Sequence, residues 1–182
     1  MFLFAHAPRP PSLQGWCSRQ RQTAGGAVES EQRVLLDAPV VEFSEAGARS
    51  LGLIYWAQVE RSTLGLMKAC QRGDSLELCA LGRWAVLLRF GQAEVEASPR
   101  SARCSYPISG GLLAQRPEGE IVFVQTETEH IELRSSIRNF FPRLAAREGE
   151  PDWTGALYSH VQSRIHVAIS RRYFERLIEG RS

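Results

Sequence analysis

Between Arg33 and about Leu144 the apolar residues of this chain recur with period two, and that pattern restricts the fold more than any other feature. Period two sends successive side chains to opposite faces of a strand, whereas a helix needs steps of three and four. Leu51–Arg61 alternates, with Leu53, Tyr55, Ala57 and Val59 on one face and Ile54, Trp56, Gln58 and Glu60 on the other. Val34–Phe43 is apolar and β-branched but carries Pro39, which a ladder tolerates at an edge or a bend. Arg72-Gly73-Asp74 lies between Leu64–Ala69 and Ser75–Leu81 and reads as a hairpin turn. Trp84–Phe90 is nearly all apolar, as in a strand covered on both faces. Glu94–Ser98, Arg103–Ile108, Leu112–Ala114, Ile121–Gln125 and Ile131–Ser135 bring the total to about nine strands. Turns every 8–12 residues or about that spacing mark an antiparallel barrel or sandwich.

The period changes at the C-terminus. Pro142 and Pro151 bracket a polar connector, and Asp152 is placed to cap a helix over 153–179. Its residues Leu157, Tyr158, Val161, Ile165, Ala168, Ile169, Tyr173 and Leu177 advance by threes and fours, which makes one stripe. That stripe needs a partner, and the open face of the sheet is the obvious one. The expected fold is α+β and predominantly antiparallel: a curved sheet or partial barrel of about nine strands with one long C-terminal helix across it. In its order of elements this resembles the helix-grip domains of the START and Bet v 1 type. The resemblance is architectural and rests on no motif. It departs where a helix pair should follow the first strand, because only Ser44–Ser50 has helical composition there.

Residues 1–32 lack this patterning. Pro8, Pro10 and Pro11 cluster, Gly15, Gly25 and Gly26 follow, and no acid precedes Glu29. The segment reads as a disordered tail or an over-extended start, ahead of a single β-rich domain over 33–182. Scattered Arg without acids also suits an organelle transit peptide, but the prolines break the amphipathic helix it needs. Met1–Ala5 is too short for a secretory core, and no run approaches the roughly 20 apolar residues of a membrane span. A cytoplasmic, reducing setting is therefore expected for Cys17, Cys70, Cys79 and Cys104. None forms a C-x-x-C pair, so buried thiols rather than metal ligands are expected. A Cys70–Cys79 bridge across the hairpin would depend on register. A net charge of +2 is too small to argue for nucleic acid by bulk electrostatics.

The motifs of nucleophilic, nucleotide-binding and metalloprotease sites are missing. Ser109-Gly110-Gly111 has no helix after it and reads as a bulge or tight turn. His160 and His166 fall on different faces of the helix, so no metal and no cofactor are expected. His130 and Glu132 share a strand face and are the acid–base candidates, against the plainer reading of a polar pair near a turn. Arg89 sits between Leu88 and Phe90 in the most apolar run. There it needs an ion-pair partner, an exposed edge, or the carboxylate of a ligand. With Tyr55, Trp84 and Tyr106 it forms the ligand-binding candidate set.

The leading expectation is a soluble binding or carrier protein for a hydrophobic or carboxylated small molecule, held in a cavity between sheet and C-terminal helix. An enzyme using that cavity is one alternative. The other is a non-catalytic interaction domain, with a homodimer among its forms. A closed apolar cavity favours the carrier, and an ionisable pair inside it the enzyme. A filled core with an exposed apolar patch favours the interaction domain.

Overall fold

The computed structural model describes residues 13, 15–81, 84–143 and 167–180. Strands β1 (Cys17–Gln22) and β2 (Val28–Leu36) precede helix α1 (Glu45–Ser62). Then come β3 (Met67–Arg72), β4 (Ser75–Ala80), β5 (Ala85–Phe90), β6 (Glu94–Ser98), β7 (Ser101–Gly110), β8 (Glu120–Glu127) and β9 (Ile131–Phe140). Helix α2 covers residues 167–179. The nine strands form one open sheet in the order β1-β2-β9-β8-β7-β5-β4-β3, with β6 beside β7, and all its pairings are antiparallel.

Three expectations change. First, Leu51–Arg61 is not a strand but most of α1. Its buried residues Gly47, Ala48, Leu51, Gly52, Tyr55, Trp56 and Val59 advance by threes and fours. Ser44 caps the helix, its side chain accepting from the Gly47 amide at 3.1 Å. The β-like composition of Ile54-Tyr55-Trp56 hid the period, because three of the eight buried residues are glycine or alanine. Second, folded structure begins well before Arg33. β1 and β2 pair around Thr23, whose amide donates to the Ala27 carbonyl and whose hydroxyl accepts from the Ala27 amide. These strands have polar faces, down to a fully buried Gln32 that donates to Ser30. Third, Leu112–Ala114 is not a strand, and only Ala114 bridges to Pro142. The proposed cap Asp152 and residues 153–166 lie outside the described residues.

Other readings hold locally. Gly73, at φ 59°, turns the β3–β4 hairpin. Its register opposes Cys70 to Glu77 and Cys79 to Lys68, no disulfide joins the four cysteines, and Cys79 and Cys104 are buried while Cys17 and Cys70 are half-buried. Gly111 serves close approach: a Cβ there would lie 2.5 Å from the Leu87 carbonyl oxygen. The Leu112 and Leu113 amides donate to β5 carbonyls beside it.

The edge of β7 is shared. Its first half pairs with β6 and its end, at Ile108 and Gly110, with β5. The chain therefore breaks direction at Gly91–Ala93, and β5, β4 and β3 leave the main sheet there. α1 packs against β6, β7, β8 and β3. α2 joins it on the same sheet face, where Tyr173 meets Tyr55 and Phe123 at ring distances of 5.4 and 5.6 Å. The buried Ser170 of α2 donates to Gln32 of β2. Gln125 of β8 accepts from the amides of Val40 and Val41 and donates to the Val41 carbonyl, which fixes the β2–α1 connection.

Candidate functional site

Four elements meet at a pocket of about 280 Å³. Arg49 and Leu53, one turn apart on α1, form one wall. The β3–β4 hairpin adds Gln71, Asp74 and Leu76, and the break after β5 adds Gly91, Gln92 and Ala93. Cys104 and Tyr106 of β7 make the floor, on the same strand face two residues apart. Gly52 allows this floor to form, since a Cβ at that position would lie 2.4 Å from the Tyr106 hydroxyl.

Burial governs the titrating groups of the floor. Burial pushes the Cys104 thiol above its ordinary value, against the opposing pull of Tyr106, Arg49 and Arg103. It is therefore a protonated thiol rather than an activated thiolate. Burial likewise raises Tyr106, with Cys104 adding to the effect and Arg49 opposing it. Tyr106 thus stays a hydrogen-bond donor. Among the described residues neither Arg49 nor Asp74 has an ion-pair partner, and none group as a metal centre. The pocket offers a cation, an anion, two amides and a phenol over an apolar base.

The residues nominated from sequence do not converge. Tyr106 is in the pocket. Tyr55 is in the core, 4.6 Å from the Phe123 ring and 5.2 Å from that of Trp56. Arg89 is exposed and pairs with Glu77 across β4–β5 at 3.3 Å, so the ion pair, not the ligand, is its partner. Trp84 is fully out in solvent at the β4–β5 turn. His130 is exposed in the β8–β9 turn, while Glu132 is taken by Arg33 at 3.4 Å and Arg134 at 3.8 Å. That acid–base pair is thus two separate surface groups. Arg49, Gln71, Asp74 and Gln92 were not singled out. Reading residues 45–62 as a helix would have placed Arg49 and Leu53 on one face.

A second, open groove of about 750 Å³ runs along β1, β2 and β9. Within it Arg21 pairs with Glu29 at 2.6 Å, while Glu31 and Arg138 reach Arg134 and Glu120 outside its lining, each at 3.8 Å. No protein-family model and no curated protein sequence matches the chain. Among solved structures, the crystal structure of protein Ms6760 from Mycobacterium smegmatis aligns with 90% of this chain and 98% of its own, at 8% identity and a TM-score of 0.38.

Proposed function

We propose that this protein binds a small carboxylated molecule in the pocket between α1 and the β3–β4 hairpin. The observation that carries this reading is Arg49, a guanidinium without an ion-pair partner among the described residues, above a floor made by Cys104 and Tyr106. A planar fork of donors matches a carboxylate. Asp74 in the same pocket favours a ligand with a positive or donor group as well. The volume falls just under the 300–1,000 Å³ or so typical for drug-sized ligands, so the molecule is small. This moves the site from the space between sheet and α2, where Tyr55, Phe123 and Tyr173 pack ring against ring. The protonated thiol and phenol support binding without catalysis. We also infer a sheet that curves around α1, in the manner of a helix grip, and a reducing cytoplasmic setting consistent with four cysteines that form no disulfide.

The test is a thermal-shift panel of propanoate, benzoate and phenylalanine at millimolar concentration. At least one should raise the Tm, and Arg49→Gln should weaken its binding about ten- to hundred-fold. No shift with any of them, or a shift unchanged in Arg49→Gln, refutes the reading. A second reading, a non-catalytic interaction domain, is favoured by one observation: Leu64, Leu66, Leu81 and Trp84 are exposed together at one end of the β3–β5 strands.

A further inference from the structure

We infer that this end of the molecule is a docking tip for an anionic bilayer surface. The inference deepens the interaction reading and is independent of the Arg49 pocket.

α1 ends in a Schellman turn, in which the Gly65 amide donates to the Glu60 carbonyl and the Leu64 amide to that of Arg61. The left-handed position of that turn belongs by preference to glycine or asparagine. Here Leu64 holds it at φ 52°, with 92% of its surface exposed. Leu81, at the end of β4, repeats the anomaly at φ 51° and 66% exposure. The two turns are joined, since the Leu81 amide donates to the Leu66 carbonyl at 3.0 Å. Trp84 follows three residues later, 93% exposed. Two branched apolar side chains are thus held on unfavourable backbone with most of their surface exposed.

The shape and the charge select the occupant. Separate side chains on turn tips suit a fluid hydrocarbon, which needs no complementary surface, and an indole suits the headgroup boundary. Arg61 in the last turn of α1 and Lys68 on β3 flank the tip. Glu60 is the acid that balances Lys68, at 3.6 Å, and Arg61 has no ion-pair partner among the described residues. One uncompensated cation, Arg61, beside apolar fingers is complementary to anionic headgroups.

The test sediments the full-length protein with phosphatidylcholine–phosphatidylserine vesicles and with pure phosphatidylcholine vesicles at physiological salt. Binding to the anionic vesicles should be tighter. Leu64→Asn and Trp84→Ser should each weaken it about ten-fold or more, and Arg61→Gln about five-fold. Leu64→Asn should at the same time keep or raise the Tm, by about 2–4 °C, because asparagine tolerates the left-handed backbone. No association with anionic vesicles, or association unchanged in Leu64→Asn and Trp84→Ser, overturns the inference. If Trp84→Ser instead splits a dimer seen by light scattering while vesicles stay unbound, the membrane is wrong and the interaction reading stands. A monomer that binds no vesicles defeats both.

Discussion

The two faces of the central strands β2, β9, β8 and β7 are closed by different means. One face presents Val34, Leu133, Phe123, Cys104 and Tyr106, all buried beneath α1 and α2. The other presents Glu31, Arg33, Glu132, Arg134, Glu120 and Arg103 in cross-strand ladders. Arg134 reaches Glu31 and Glu132, and Arg103 reaches Glu96 and Glu120, both at 3.0 Å. Yet Val122, Ser105 and Ser136 on this charged face are as buried as the core. Both described helices are on the opposite side, so among the described residues the stems of the Arg and Glu side chains provide the cover. Among the described residues this face has no second layer, and its base is dry beneath charges that are paired at its surface. The ring-filled face should respond to lost volume and to alkali, the charged face to salt.

The largest effect belongs to Phe123, fully buried with rings of Tyr55, Tyr106 and Tyr173 around it. Phe123→Ala should cost about 3–5 kcal/mol, measured by urea denaturation. A cost below about 1 kcal/mol would mean that the helices do not seal this face.

Alkali should act on the same face. Burial raises the hydroxyls of Tyr55, Tyr106 and Tyr173, with Cys104 contributing at the last two. The folded state then keeps protons that the unfolded chain releases above about pH 10. Each tyrosine contributes stability that is full below that pH and is lost progressively as pH rises from there through the raised value of the folded state. Of the four tyrosines in the chain, at least three should ionise only together with the collapse of the near-ultraviolet dichroism. Three tyrosines titrating near their ordinary value with the dichroism intact would show that the ring cluster is open to water.

The sequence was informative where side chain and backbone needs agree. Arg72-Gly73-Asp74 and the alternation through β8 and β9 each carry a local signal that tertiary contacts only reinforce. It misled where burial was achieved without hydrophobicity. β1 exposes Arg and Gln along a sheet edge, and β2 buries Ser30 and Gln32, so neither has an apolar period to find. α1 buries Gly47, Ala48 and Gly52 for closeness rather than apolar area, which erased its stripe. That error carried through to the site. With residues 45–62 read as helix in place of strand, Arg49 would have joined Tyr106 in the candidate set.

The smallest effect separates the faces most cleanly. Arg103 lies beside Val124 on β8 and bridges Glu96 and Glu120, with about a quarter of its side chain exposed (23%). Arg103→Met keeps the stem over Val124 and removes only the charge. Both carboxylates retain access to solvent, and Arg138 still approaches Glu120 at 3.8 Å, so no buried charge is orphaned. Partly exposed pairs contribute little, so the loss should be about 0.5–1 kcal/mol at low salt. At about 1 M salt the screening length falls to roughly 3 Å and the difference between Arg103→Met and the native protein should vanish. Arg103→Ala, which also uncovers Val124, should keep a residual deficit at every salt concentration, because that part is lost packing. If the two variants behave alike at high salt, the stems do not cover this face, and the contrast between a layered side and a self-covered side fails.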